Sequence, residues 1–379
     1  MQLKLFLSII FYFSISILYG QRNVEKIDNL FKKYHNEEGF AGAVLVADKG
    51  EVIYKKGFGL ANQDWGISNQ PDTKFDIASI SKQFTAAVIL MLAEEGKIDL
   101  EGKISDYLPY FRKDYGKKVT IHHLLTHRSG IPNYTSIPYV WEDSLKYHYK
   151  LKDLITKFCS RDLEFEPGTS YEYNNSGYVI LAAIIETACK DKFANILNER
   201  LFKPLNMNST GVDVREMVIP KRATGYIKQE TSSKPADYMY MGNLVGAGNL
   251  YSTVEDLFKW DQALYSNEIL SASAKAKMIK SYSKGSSWIL PFENGYGYGV
   301  GTANVGGKGQ PKVNLVFHSG HISGYSSYLA RFTDNRNTVI ILSNTGSMTT
   351  TGMNLLAVEV NMILSESNLQ KTGTSGKGQ

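Results

Sequence analysis

The sequence predicts an α+β protein in which one antiparallel sheet is interrupted by a mainly helical insertion. Two apolar, β-rich runs lie early, at Ala41–Ala47 and Glu51–Gly57. Further strand-like runs return only near Tyr298, and the stretch between, from about 97 to 270, reads mostly as short helices and loops. Early and late strands can join one sheet only if the middle is inserted between them. The composition is globular: of 379 residues, 43% are hydrophobic and 21% charged. With 42 Lys+Arg against 37 Asp+Glu, the net charge is only +5. The charges are interspersed, so no nucleic-acid-binding stripe stands out. Two cysteines exclude a disulfide scaffold and a cysteine-rich metal protein.

The elements follow in order. Residues 1–20 carry Lys4, the uncharged run Leu5–Tyr19 and then Gly20, the pattern of a secretory signal peptide. Such a segment places the chain outside the cytoplasm, secreted or periplasmic, with membrane attachment only if the segment stays uncleaved. Val24–Tyr34 has helical spacing in Ile27, Leu30, Phe31 and Tyr34. The two early strands are joined by Asp48-Lys49-Gly50, a hairpin turn. Ser79–Gly96 is a strong helix, with Phe84, Ala87, Val88, Met91 and Leu92 on one face. Shorter helices follow at Ile121–His127, Leu151–Cys159, Ser176–Cys189 and Thr253–Tyr265. Strand signals mark Tyr298–Val305, Val313–His318, Tyr325–Phe332 and Thr338–Ser343, and a last amphipathic helix spans about Leu355–Ser365. One domain is thus expected over 21–367. Its α/β part is about 21–95 and 290–367, its helical insertion about 96–289, and 368–379 is a disordered tail. Cys159 and Cys189 lie in helix-like stretches where they can pair or remain thiols.

The chemistry concentrates at Ser79-Ile80-Ser81-Lys82, at the start of the long apolar helix. Positions i and i+3 share a helix face, so a hydroxyl and an amine project together. Burial can depress a lysine pKa toward neutrality and make the pair an activated nucleophile. The spacing alone recurs by chance, as Ser281–Lys284 shows. Two further elements give it context. Tyr173-Asn174-Asn175 precedes the helix Ser176–Cys189, where a loop can aim a phenol and an amide into a cleft. His318-Ser319-Gly320 closes a β-rich run with small residues that let a substrate backbone lie alongside.

In this order the three elements closely resemble the serine β-lactamase and penicillin-binding-protein superfamily. The likeness is to its branch of class C β-lactamases, D-alanyl-D-alanine carboxypeptidases and related esterases. Surrounding stretches agree: His123–Gly130, Gly246–Thr253 with Asp256 and Trp260, and Tyr296–Gly299. The resemblance implies an antiparallel sheet flanked by helices, with the active site between it and a helical subdomain. It implies that Ser79 is acylated and that Lys82 and Tyr173 share the proton-transfer role. Asn175 would bind the acyl-side amide of the substrate, and the backbone N–H groups of Ser79 and His321 would form the oxyanion hole, in the wall made by His318, Ser319 and Gly320. No metal or cofactor is implied, and the expected partner is a small-molecule or peptide substrate. Oligomeric state is left open.

Competing copies of the motifs are rejected by context. Lys371-Thr372-Gly373 lies in the polar tail, Tyr265-Ser266-Asn267 ends a helix, and Ser281–Lys284 lacks a long apolar helix after it. His122, His123 and His127 can suggest a metal site, but no Glu sits between the i, i+4 pair. Many relatives of this kind carry lysine where His318 stands; an imidazole is mostly neutral at pH 7 and holds a substrate carboxylate less well. Arg128 is a candidate replacement charge. The expected activity is therefore acyl-enzyme hydrolysis of an amide or ester, with D-alanyl-D-alanine peptides first. An esterase or small-amide hydrolase, a class C-like β-lactamase and a penicillin sensor without turnover are the alternatives.

Overall fold

A computed structural model describes residues 21–214, 216–230, 232–284, 294–305, 312–346 and 348–373. The expected signal segment 1–20 lies outside the described residues, as do 374–379. Among the described residues, eight strands form one antiparallel sheet. From one edge its order is Ser283–Lys284, Asn294–Tyr296, Gly301–Val305, Val313–Ile322, Tyr325–Phe332, Asn337–Ser343, Gly42–Asp48 and Glu51–Phe58. The early hairpin therefore completes a sheet whose other six strands come from the end of the chain. Gly42 lies opposite Ser343 and Ala47 opposite Thr338, so the two ends are joined in register. The hairpin turns at Lys49 and Gly50, both with positive φ (55° and 85°), the pairing a tight two-residue turn demands.

Both faces of the sheet are covered, which is why its central strands read as nearly continuous apolar runs. On one face Val44, Val46, Tyr328 and Ile341 pack with Ile27 and Phe31 of the helix at 21–38 and with Met353, Leu356 and Val360 of the helix Thr350–Gly373. On the other, Ala43, Leu45, Leu329 and Leu342 join one core with Phe84, Val88, Leu257 and Trp260. The alternation 43/45 against 44/46 is the period-two signature of a strand.

Several boundaries differ from the sequence expectation, each for a physical reason. Helix Val254–Ala263, within the expected insertion, lies against the strands Asn337–Ser343 and Gly42–Asp48. Its Asp261 is buried and accepts hydrogen bonds from Arg331 Nε (2.7 Å) and Thr338 Oγ1 (2.7 Å) of the sheet. The edge strand Ser283–Lys284 likewise falls before residue 290. The strand expected at Tyr298–Val305 begins only at Gly301, because Gly299 turns the chain at φ 70°. The strand expected to end at His318 continues to Ile322 and pairs with Tyr325–Phe332. The last helix runs to Gly373 rather than about 365, so part of the segment expected to be a disordered tail is helical; no proline or glycine occurs between Gly352 in its first turn and Gly373. Cys159 and Cys189 are free thiols.

Candidate active site

Ser79 sits on a single tight turn, Ala78–Ile80, directly before the helix Ser81–Glu94. Ala78 is held at φ 44°, a left-handed conformation that L-residues avoid. The segment entering this turn, Phe75–Asp76, is pinned by pairing with Leu250–Ser252. Lys82, one turn on, is wholly buried and lies 3.1 Å from Ser79 Oγ. Its Nζ donates to Asn175 Oδ1 at 2.7 Å and to the Ala247 carbonyl at 2.7 Å. Burial drives its pKa well below the ordinary lysine value. A neutral amine has two N–H bonds and one lone pair. In the neutral form that burial favours, two carbonyl oxygens take the N–H bonds and the lone pair faces Ser79; when protonated, Nζ donates to all three oxygens.

Tyr173 and Asn175 flank the N-terminus of the helix Asn175–Cys189, whose cap is Asn174 accepting from Gly177 N–H at 2.9 Å. The Tyr173 hydroxyl is buried; burial raises its pKa, and a hydrogen bond with Ser79 opposes the rise. Lys82 Nζ lies 4.8 Å from the centre of the Tyr173 ring. Asn175 is doubly committed, for its Nδ2 also donates to Thr135 Oγ1 at 2.8 Å.

The opposite wall is the strand Val313–Ile322. Gly320 stands against the nucleophile turn so closely that a Cβ there would meet Ile77 O at 2.4 Å and Ser79 N at 2.9 Å. Only glycine permits this approach. Ser327, paired with Gly320 on the next strand, donates to Ile77 O at 2.7 Å and ties sheet to turn. His318 is buried, and its Nδ1 lies 2.6 Å from the Ser319 carbonyl while Nε2 lies 2.9 Å from the Tyr296 hydroxyl. A carbonyl only accepts, so Nδ1 holds the ring proton and Nε2 accepts from Tyr296. Burial and the nearby Lys82 push the His318 pKa down to about 3.

Two lobes of a cleft meet at Ser79. One is lined by Tyr173, Asn175, Tyr296, Phe317, His318, Ser319, His321 and Thr350. The other is lined by Thr135, Trp141, Asn175, Leu244, Ala247, Gly248, His321 and Ile322. Among the described residues neither lining includes an arginine or a lysine. Arg128 is spent elsewhere, donating to the carbonyls of Gly168 and Tyr282.

Known proteins resemble this chain in sequence and in fold. The sequence profile of the family described as Beta-lactamase matches residues 27–360. The chain belongs to that family. Penicillin-binding protein 4* of Bacillus subtilis (strain 168) is 33% identical over 339 residues, covering 86% of this chain and 72% of the relative. The octameric penicillin-binding protein homologue from Pyrococcus abyssi superposes with a TM-score of 0.78 at 27% identity, covering 90% of this chain and 77% of that one. D-amino acid amidase from Ochrobactrum anthropi SV3 shares the fold, with a TM-score of 0.75 at 23% identity over 90% of this chain and 99% of its own. The chain is thus a serine hydrolase of the β-lactamase and penicillin-binding-protein superfamily, with that superfamily's α+β fold. Among the described residues, no helix is long and apolar enough to cross a membrane.

Of the residues singled out in sequence, Ser79, Lys82, Tyr173, Asn175, His318, Ser319 and His321 converge on the cleft, and Gly320 backs it. The rival Ser281 instead donates to the Ser283 carbonyl at 2.9 Å. The three histidines weighed as metal ligands go to separate partners. His122 Nδ1 meets the Tyr298 hydroxyl at 2.8 Å, and His123 Nδ1 accepts from Thr120 N–H at 3.3 Å. His127 is buried beside Tyr173. The sequence does not mark Ala247, Thr135, Trp141 or Thr350 for the site, and it leaves Tyr296–Gly299 equally a cleft-lining strand or a structural turn. Tyr296 had a signal in the Tyr296–Gly299 repeat, and Ala247 in the glycine-rich run Gly246–Gly248; Trp141 and Thr135 had none.

Proposed function

We propose that this family member hydrolyses amides or esters through an acyl-enzyme formed on Ser79. The observation that carries the reading is the Lys82 amine, 3.1 Å from Ser79 Oγ with both N–H bonds engaged by carbonyl oxygens. As Ser79 Oγ bonds to the substrate carbonyl carbon, its proton passes to the Lys82 lone pair. Tyr173, which keeps its proton at neutral pH, gives that proton to the departing nitrogen or oxygen and is reprotonated from Lys82. Water then attacks the ester carbonyl by the reverse transfers and frees Ser79. The backbone N–H groups of Ser79 and His321 receive the oxyanion; one such donor is typically worth about 10²–10³ in rate.

The substrate class follows from charge. A D-alanyl-D-alanine carboxypeptidase must hold a free carboxylate on the leaving side. In this cleft the third-motif side chain is a neutral imidazole whose two nitrogens both have protein partners. Neutral amides and esters, including those of D-amino acids, fit better and take first place over the carboxypeptidase. The β-lactamase reading is weakened by the same absence of a cation among the described lining residues. The segment 1–20 supports action outside the cytoplasm.

The test is intact-mass analysis during incubation with p-nitrophenyl esters, D-amino-acid amides, D-Ala-D-Ala peptides and a chromogenic cephalosporin. Acylation must be lost in Ser79→Ala and kept in Ser281→Ala. The reverse pattern refutes the site, and faster turnover of D-Ala-D-Ala peptides than of neutral esters refutes the substrate order.

A further inference from the structure

Behind the cleft, outside every role assigned above, lies His127. It is buried and held at φ 57°, a left-handed conformation uncommon outside glycine, although histidine is among the residues that tolerate it. Three of its contacts go to one short segment. The His127 carbonyl accepts from Glu172 N–H at 2.9 Å. Its ring Nδ1 accepts from Asn174 N–H at 3.1 Å. Its ring lies 4.4 Å from the Tyr173 ring, centre to centre. The backbone N–H groups of the residues on either side of Tyr173, and the phenol ring between them, are therefore held by a single residue. An unusual backbone conformation persists only where the surroundings enforce it, and such conformations cluster at functional sites.

We propose that His127 is the positioning residue for Tyr173, fixing the phenol against Ser79 by accepting the Asn174 N–H while its own carbonyl accepts the Glu172 N–H. This rests on the reading of Tyr173 as the proton donor. Because Nδ1 accepts, the ring proton is on Nε2; the ring itself stands among those of Tyr171, Tyr178 and Tyr296. The ring is neutral: burial, Lys82 and His318 all push its pKa well below the ordinary value. A protonated ring would lose the Nδ1 acceptor, and the Asn174 amide would then face a donor. The role needs an acceptor at the δ position. It does not need an imidazole as such.

The discriminating variants follow from that geometry. His127→Asn keeps an oxygen acceptor near the Nδ1 position and tolerates positive φ. His127→Phe keeps the ring and removes the acceptor, and His127→Gln moves the acceptor one bond too far. Steady-state hydrolysis of a D-amino-acid amide or alkyl ester, whose leaving nitrogen or oxygen must take a proton, reads the effect, with melting temperatures measured alongside. His127→Phe and His127→Gln should lower kcat about 100-fold, the scale of a roughly 1 Å misplacement, with KM little changed. His127→Asn should recover kcat to within about 10-fold of the parent, less than that misplacement loss. In the background Tyr173→Phe, adding His127→Gln should cost nothing further, because residues acting as a unit are not additive. Equal losses in the Asn and Gln variants, or losses that multiply in the double variant, overturn the proposal. Unchanged kcat in Tyr173→Phe alone instead overturns the underlying assignment of Tyr173. If the Phe variant does not fold, the Asn–Gln pair still decides.

Discussion

Gly320→Ala puts the close approach of sheet and nucleophile turn to a quantitative test. The new methyl would stand 2.4 Å from Ile77 O, 2.4 Å from Ser327 Oγ and 2.9 Å from Ser79 N, where ordinary contacts begin at 3.4 Å. Ser327 can rotate away, but the Ile77 carbonyl and Ser79 amide are backbone. The strand must therefore retreat from the turn by about 1 Å, a displacement that costs about 10² in rate when it misplaces reacting groups. In free energy that is about 2.7 kcal/mol of lost transition-state stabilisation. Overpacking adds about 1–3 kcal/mol of lost stability. Gly248→Ala is the control: it also borders the cleft, but its methyl would find nothing nearer than 3.7 Å. The assay is kcat/KM for a p-nitrophenyl ester, paired with a thermal melt of each variant. A Gly320→Ala enzyme as fast as the Gly248→Ala control would refute the claim that this contact sets the oxyanion geometry.

Three further outcomes are expected. His318→Lys should raise kcat/KM on carboxylate-bearing substrates near pH 7 more than on neutral esters; equal changes in both classes would remove residue 318 from carboxylate recognition. Stability should fall as pH drops below about 6.5, because His127 and His318 are neutral in the fold and charge once unfolded. The unfolded state then binds more protons than the native one, so each such histidine removes up to about 1.4 kcal/mol per pH unit, the His318 loss levelling off near pH 3. Chemical denaturation at pH 7, 6, 5 and 4 measures the slope, and His318→Gln should flatten it. Asp261→Ala should destabilise by about 3–5 kcal/mol in chemical denaturation, since it strands the buried Arg331 guanidinium; a loss under about 1 kcal/mol would show that the pair is replaceable.

Much of this architecture was legible in the residues. The hairpin at Asp48-Lys49-Gly50, the apolar helix after Ser79 and the inserted middle all follow from period and turn chemistry. The nucleophile was chosen over Ser281 by the helix that follows it, and the structure gives the two serines different surroundings. What the sequence hid were features set by tertiary contact. Ser319-Gly320 looked like the end of a strand, yet the missing side chain is what lets the strand continue past Ser79. His318 looked like a weakened ligand facing the substrate; its Tyr296 partner, 22 positions away, cannot be paired with it by spacing. His127 read as part of a structural stretch because neither its φ nor its grip on residues 172 and 174 leaves a local signature. By sequence alone helix Val254–Ala263 falls in the insertion, because Asp261 finds Arg331 only in three dimensions.

The joining of strand Gly42–Asp48 to strand Asn337–Ser343 bears on when this enzyme can first act. A ribosome that has released the chain only as far as residue 280 has delivered Ser79, Lys82 and Tyr173, but not Tyr296, His318 or Gly320. Such a fragment has a nucleophile and no opposite wall. Pairings across so many residues also form late and slowly. On this reading, hydrolytic competence arrives only once the strands through Ser343 have been made, and synthesis itself keeps the half-made catalyst silent.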